Sequence, residues 1–192
     1  MNFDKCACAQ DTPTDPKRRR VIQIAAAGVA AGLTGLGFPA HAAPASGDRL
    51  VIDDFEGEPI ALRAADLEIG KPLVAFAFDP ATKAVRNDSR LHKVTLIKFD
   101  ESELDAESRE RAAGGVLAFS AICTHQACEV KTWLAKEKVL VCYCHESKFL
   151  PLEAGKLSSG PAPRALPTIP LKLDGEQLVI AGEFSSRPGP AT

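Results

Sequence analysis

Two short segments constrain this chain more than anything else in it: Cys123-Thr124-His125-Gln126-Ala127-Cys128 and Cys142-Tyr143-Cys144-His145-Glu146-Ser147. Each brings one thiol and one imidazole at close spacing, Cys-x-His and Cys-x-x-His, and each brings one further cysteine. Thiolate and imidazole are the donors of soft metal centres, and on ligand count alone two Cys and two His make a zinc site. A fold that uses them must bring two loops together and hold them rigidly. Each segment follows an apolar run, Gly115 to Ile122 in one case and Lys138 to Val141 in the other, so each begins where a strand ends. That places both at one tip of a sheet, on loops held by a rigid frame.

The remainder from about Leu50 reads as short strands separated by turns. Leu73 to Phe78 is an apolar run closed by Asp79-Pro80, and Val94 to Phe99 is another. Leu171 to Leu173 and Gln177 to Ile180 flank Asp174-Gly175, a hairpin signal. Glu101 to Ala113 is charged and reads as a short surface helix or a loop. Phe76, Phe78, Phe99 and Phe119 read as core, and His92, which has no partner pattern in the sequence, as a surface residue. Many short strands with Gly/Pro turns predict an all-β fold, an antiparallel sandwich or barrel.

The N-terminus reads as a leader. Lys17-Arg18-Arg19-Arg20 precedes Val21 to Phe38, a run without charge, and Ala40-His41-Ala42 offers small residues for cleavage. Arg18-Arg19 followed by Arg20-Val21-Ile22 resembles a twin-arginine signal. The competing reading is a retained membrane anchor, since the run is near the lower limit of about 20 residues for a span. Its four glycines weaken it as a helix. Residues 1–42 are thus a twin-arginine-type signal peptide or an anchor, 43–49 a linker, 50–184 the folded domain and 185–192 a flexible tail. The expected localisation is the periplasm, or the inner membrane facing the periplasm if the leader is retained.

Charge excludes one class of partner. The net is −2, and five of 23 basic but only three of 25 acidic side chains lie in residues 1–42, so the remainder carries −4. That gives no support for nucleic-acid binding, and one Trp and one Tyr make no stacking platform. Of six cysteines, Cys6 and Cys8 lie in the leader, and the other four all lie in the two segments.

The two segments resemble the Rieske family, whose pattern is Cys-Thr-His-x-Gly-Cys, then Cys-Pro-Cys-His-Gly-Ser, then Gly-Pro-Ala-Pro. The last appears here as Gly160-Pro161-Ala162-Pro163, and the resemblance runs from about 116 to 182. It implies a Rieske fold with a small cluster-binding subdomain at one tip, on loops within about 121–163. It implies one 2Fe-2S cluster per chain, with Cys123 and Cys142 on one iron and His125 and His145 on the other. It implies a disulfide between Cys128 and Cys144, a bond that persists where an exported protein meets oxidising conditions. Ser147 matches the serine whose hydroxyl donates to a cluster sulfide, and Gly160 to Pro163 caps the cluster. Neutral imidazoles in place of thiolates lower the charge to which an electron is added, which raises the potential.

The departures from the pattern bear on tuning. Phe149 stands where high-potential members carry a Tyr that donates to a cysteine sulfur. Ala127 and Glu146 replace glycines, Glu146 adds a negative charge beside His145, and Tyr143 replaces Pro. An intermediate potential is expected.

The resemblance implies electron transfer without substrate chemistry of the chain's own, as a subunit of an exported respiratory oxidoreductase. Two settings fit: the Rieske subunit of a cytochrome bc complex, and the small subunit of arsenite oxidase. The partner is then a larger redox subunit, a molybdenum enzyme or a cytochrome b, with a cytochrome c or similar acceptor and with quinol as one candidate donor. The rivals are a Rieske ferredoxin or oxygenase component, which lacks the Cys128–Cys144 pair, and a zinc-stapled binding module. The two extra cysteines, Ser147 and Gly160 to Pro163 weigh against zinc.

Overall fold

The structure, a computed structural model, describes residues 43–53 and 57–191; the leader read at 1–42 lies outside them. Thirteen strands dominate it: β1 (Arg49–Ile52), β2 (Ile60–Ala61), β3 (Leu73–Asp79), β4 (Ala84–Val85), β5 (Val94–Lys98), β6 (Val116–Ser120), β7 (Thr132–Leu134), β8 (Val139–Cys142), β9 (Ser147–Leu150), β10 (Lys156–Ser159), β11 (Thr168–Ile169), β12 (Leu171–Asp174) and β13 (Gln177–Ile180). The one α-helix among the described residues, α1 (Ala106–Arg111), is capped by the Asp105 carboxylate, which accepts the Ser108 N–H at 2.7 Å. The all-β expectation holds, and no described helix is long and apolar enough to cross a membrane.

The larger sheet runs β11-β6-β5-β3-β1-β13-β12, with β2 on β1 and β4 on β3, and its pairings are antiparallel. Its two terminal strands, β11 and β12, are one stretch of chain interrupted only at Pro170. The sheet therefore curls back on itself as a near-barrel. Leu50, Ala75, Val94, Leu96, Val116, Ala118 and Leu178 fill its interior. The smaller sheet, β10-β9-β8-β7, packs its apolar face around Leu140 and Phe149.

Strands β5 and β6 serve both bodies. Val94, Leu96, Val116 and Ala118 point into the first core, while Ile97, Phe99, Leu117 and Phe119 belong to the second. Alternate residues of a strand face opposite sides, so a strand buried on both must be apolar throughout. That is why Val94 to Phe99 shows no polar face: its two polar residues are spent, the Thr95 hydroxyl on the Val130 carbonyl at 2.6 Å and Lys98 Nζ on the Ala64 carbonyl at 2.8 Å. This shared wall fixes the smaller sheet, which carries both Cys/His loops.

Four local expectations change. The hairpin turn is Gly175-Glu176, because Asp174 pairs with Gln177; glycine takes the first loop position at φ +59°. The stretch 43–49 is not a free linker: the Asp48 carboxylate, buried, accepts the Ala45 N–H at 2.8 Å and the Arg86 guanidinium at 2.7 Å. Residues 185–191 do not fray. Ser185 donates to the Thr168 carbonyl at 2.8 Å, and the Arg164 guanidinium donates to Ser186 Oγ and to the Arg187 carbonyl, at 2.8 and 2.6 Å. His92 has a partner, with Nδ1 3.2 Å from the Asp88 carboxylate.

Candidate metal centre

The first loop leaves β6 through Ala121 and Ile122 and is closed by its own backbone. The Cys123 N–H donates to the Cys128 carbonyl at 2.7 Å, and the Ala127 N–H to the Cys123 carbonyl at 3.2 Å. Val130 N–H returns to the Ala121 carbonyl at 2.7 Å, so the loop leaves and re-enters at one place. The second loop is the turn between β8 and β9, where Cys142 pairs with Ser147 and Tyr143 to Glu146 form the tip. Tyr143 is 65% exposed there.

A disulfide joins the loops. Cys128 and Cys144 are bonded, with Cα atoms 6.4 Å apart. The Sγ atoms of Cys128, Cys144 and Cys142 lie within 4.8 Å of one another, but the two in the disulfide cannot act as thiolates. The sulfurs left for a metal are Cys123 and Cys142, both buried and both free.

The imidazoles meet across the gap: the His125 and His145 rings are 4.7 Å apart and nearly perpendicular. His145 is exposed and His125 half-buried. His125 Nδ1 is fully buried and has no hydrogen-bond partner. A buried ring nitrogen without a partner is costly unless something takes its lone pair. The Cys123 and Cys142 thiols are buried beside it in the same core. Burial pushes the Cys123 thiol up to about 11, and Cys142 beside it adds to the rise, while the backbone N–H groups of His125 and Gln126 oppose it. Two thiols, one orphaned imidazole nitrogen and a second imidazole 4.7 Å away fit a centre with Cys and His ligands.

A third segment closes the centre. Ser147 is fully buried, and its Oγ accepts the Ala162 N–H at 3.1 Å, leaving the hydroxyl hydrogen without an acceptor among the described residues. Gly160 lies against the second loop so closely that a Cβ there would meet Ser147 Cα at 2.5 Å. Gly160 and Ala162 thus lie against Ser147, Ala162 buried, while Pro161 and Pro163 are exposed. Phe149 is fully buried in the same core as Cys123 and Cys142.

Both glycine replacements sit in the left-handed region, Ala127 at φ +57° and Glu146 at φ +58°. The turns require glycine-like backbone, and this chain holds it with L-residues. Sequence reasoning did not anticipate the support from outside the loops. Arg90 donates to the Ala127 carbonyl, and Thr124 Oγ1 donates to the Arg164 carbonyl at 3.0 Å. Neither contact has a sequence signature, because each acceptor is a backbone carbonyl.

Comparison with known proteins agrees with this geometry. Residues 60–170 match the model of the Rieske [2Fe-2S] domain. The chain is 34% identical over 150 residues to the cytochrome bc1 complex Rieske iron-sulfur subunit of Corynebacterium glutamicum, covering 69% of this chain and 37% of that one. It is 44% identical over 79 residues to the corresponding subunit of Corynebacterium diphtheriae, covering 41% of this chain and 20% of that one. It is 30% identical over 161 residues to a chain of Haloferax mediterranei described as the Rieske subunit of a respiratory nitrate reductase, covering 83% and 69%. The chain thus spans well under half the length of the first two of these relatives. With the family model matched from the second strand through the capping segment, and with buried donors that demand a metal, the chain belongs to the Rieske [2Fe-2S] domain family and carries one 2Fe-2S cluster.

Proposed function

We propose that this chain is the electron-transfer subunit of an exported respiratory oxidoreductase, with Cys123 and Cys142 on one iron of its cluster and His125 and His145 on the other. The observation that carries the reading is His125 Nδ1, kept from water and left without a partner, on a ring whose centre lies 4.7 Å from that of the His145 imidazole. When bound, the cluster supplies reversible one-electron chemistry. The chain supplies the surroundings. The N–H groups of His125 and Gln126 reach the Cys123 sulfur and favour added negative charge on it. The Ser147 hydroxyl, positioned by the Ala162 N–H, is held ready to donate toward the cluster. Phe149 supplies no donor where a tyrosine would, which supports an intermediate potential. His145 leaves an exposed imidazole edge at the tip, the natural exit for an electron and for the proton linked to it.

The substrate-converting centre then lies on a larger partner, a cytochrome b or a molybdenum subunit. The similarity to Rieske subunits of a bc1 complex and of a respiratory nitrate reductase supports a respiratory assembly of this kind. Lys17 to Arg20 with the run Val21 to Phe38 supports export, and the Cys128–Cys144 disulfide suits an oxidising compartment. The periplasm, or the periplasmic face of the inner membrane, is the proposed location.

The test is spectroscopic. The full chain, purified from its host, should show a Rieske electron paramagnetic resonance signal after dithionite, lost in His125→Ala and His145→Ala. A colourless, spin-silent wild type would overturn the assignment. Haem b or molybdenum in the co-purifying complex identifies the partner, and the mass of the N-terminus shows whether the leader is cut.

A further inference from the structure

The first cluster loop is held in place by the C-terminal end of the chain. Thr124, between Cys123 and His125, donates its hydroxyl to the Arg164 carbonyl at 3.0 Å. The guanidinium of that same Arg164 donates to Ser186 Oγ at 2.8 Å and to the carbonyls of Arg187 and Gly189 at 2.6 and 2.5 Å. A planar guanidinium that occupies three acceptors on one short segment fixes that segment in position and orientation. Gly189 is buried at φ +78°, and a Cβ there would meet Leu91 Cδ2 at 2.9 Å and Ile122 Cγ2 at 3.7 Å. Ile122 immediately precedes Cys123. Leu91 follows Arg90, which donates to the Ala127 carbonyl on the far side of the loop. The segment is thus wedged between the two supports from which the loop hangs.

Thr168 is already satisfied by Ser185, which donates to its carbonyl at 2.8 Å and accepts its N–H through Oγ at 3.0 Å. Beyond Ser185, the Ser186 hydroxyl and the Arg187 and Gly189 carbonyls accept from the Arg164 guanidinium, and Gly189 lies against Leu91 and Ile122 at the root of the cluster loop.

We propose that Ser186–Gly189, clamped by Arg164, is a positioning strap that sets the geometry of the Cys123–Cys128 loop and, through it, the reduction potential of the cluster. The proposal rests on the cluster assignment above. Thr124 belongs to the peptide that leads into His125, and the N–H groups of His125 and Gln126 point at the Cys123 sulfur. Release of the strap frees the Arg164 backbone, which frees Thr124, which slackens those N–H···S contacts. Donors to sulfur favour the more negative, reduced state, so the potential falls.

The experiment uses cluster-loaded chain with residues 186–192 deleted, Arg164→Gln, and Arg164→Lys as the conservative variant. Lys138→Gln, which breaks only an exposed ion pair with Glu103, is the control. Redox titration by electron paramagnetic resonance should show the reduced state disfavoured about fivefold in the deletion and in Arg164→Gln, about 40 mV on a one-electron scale. Arg164→Lys should fall between them and wild type. Hydrogen exchange at the Cys123 and Ala127 amides should quicken in the same order. Unchanged potential and unchanged exchange in folded variants would overturn the strap. If the deletion fails to fold, Gly189→Ala decides, since it keeps every donor and pushes on Leu91: altered loop exchange supports the strap, unaltered exchange refutes it. A wild type without a Rieske signal removes the cluster assignment itself, a separate outcome.

Discussion

Ala127 and Glu146 turn the two cluster loops through left-handed backbone at φ +57° and +58°. An L-residue there is strained by roughly 1–2 kcal/mol, while glycine gives back about 0.5–1 kcal/mol in unfolded-state entropy. Ala127→Gly and Glu146→Gly should therefore each stabilise the protein by about 0.5–1 kcal/mol. At about 2–4 °C per kcal/mol for a body of this size, the double variant should melt about 2–8 °C higher. The two sites separate on a second axis, because Glu146 is exposed and charged beside His145. At roughly 7 Å and the dielectric of water its charge opposes an added electron by about 0.6 kcal/mol, or about 25 mV. Glu146→Gly should raise the potential by that amount, and Ala127→Gly should leave it alone. Glu146→Ala supplies the missing corner: it removes the charge and keeps the strain, so it should raise the potential without raising the melting temperature. The assays are thermal unfolding followed through the cluster's visible absorption and redox titration of the same samples. If Glu146→Ala stabilises as much as Glu146→Gly, backbone strain is not the cause; if Ala127→Gly shifts the potential equally, charge is not.

Three further outcomes follow from the geometry. Ser147→Ala orphans the buried Ala162 N–H, so it should cost about 1–3 kcal/mol of stability in chemical denaturation and lower the potential in a titration. Phe149→Tyr places a hydroxyl in the core shared with Cys123 and Cys142 and should raise the potential; a lower or unchanged value refutes the tuning role given to position 149. Cys128→Ala with Cys144→Ala opens a bridge spanning a sequence separation of 16, so unfolding should be easier by about 3 kcal/mol, with faster loss of cluster absorption on storage in air.

The parts legible in the sequence are those whose chemistry is local. Cys123, His125, Cys142 and His145 announce themselves by side-chain type and spacing, and the runs ahead of them end as strands at the loops they feed. Leu73 to Phe78 and Val94 to Lys98 become β3 and β5 for the same reason. What was misread depends on partners far along the chain. Residues 43–49 carry small linker-like side chains, yet Asp48 is buried because Arg86 reaches it from 38 residues away. Residues 185–191 look like a tail because Ser, Pro and Gly bury little apolar surface. Their anchor is one guanidinium acting on hydroxyl and carbonyl oxygens, and carbonyls leave no mark in a sequence. The hairpin at Gly175 was recognised but misplaced by one residue, since Asp-Gly and Gly-Glu are both acceptable turn centres and only pairing across β12 and β13 decides between them.

The same division explains how a small sheet with a buried donor set stays rigid. Four short strands would be marginal by themselves. Here the smaller sheet leans on β5 and β6, whose residues Ile97, Phe99, Leu117 and Phe119 form the floor of its core. The first loop is then fixed by Thr95 beneath its exit, by Arg90 at its crest and by Arg164 at its root. Each is a single hydrogen bond to a backbone carbonyl: Thr95 and Arg90 donate to the Val130 and Ala127 carbonyls, and Thr124 of the loop donates to the Arg164 carbonyl. A loop held in that way tolerates the left-handed strain at Ala127, because no one contact has to resist it alone. Loss of any one of them should therefore shift the loop and its potential by degrees before it costs the fold.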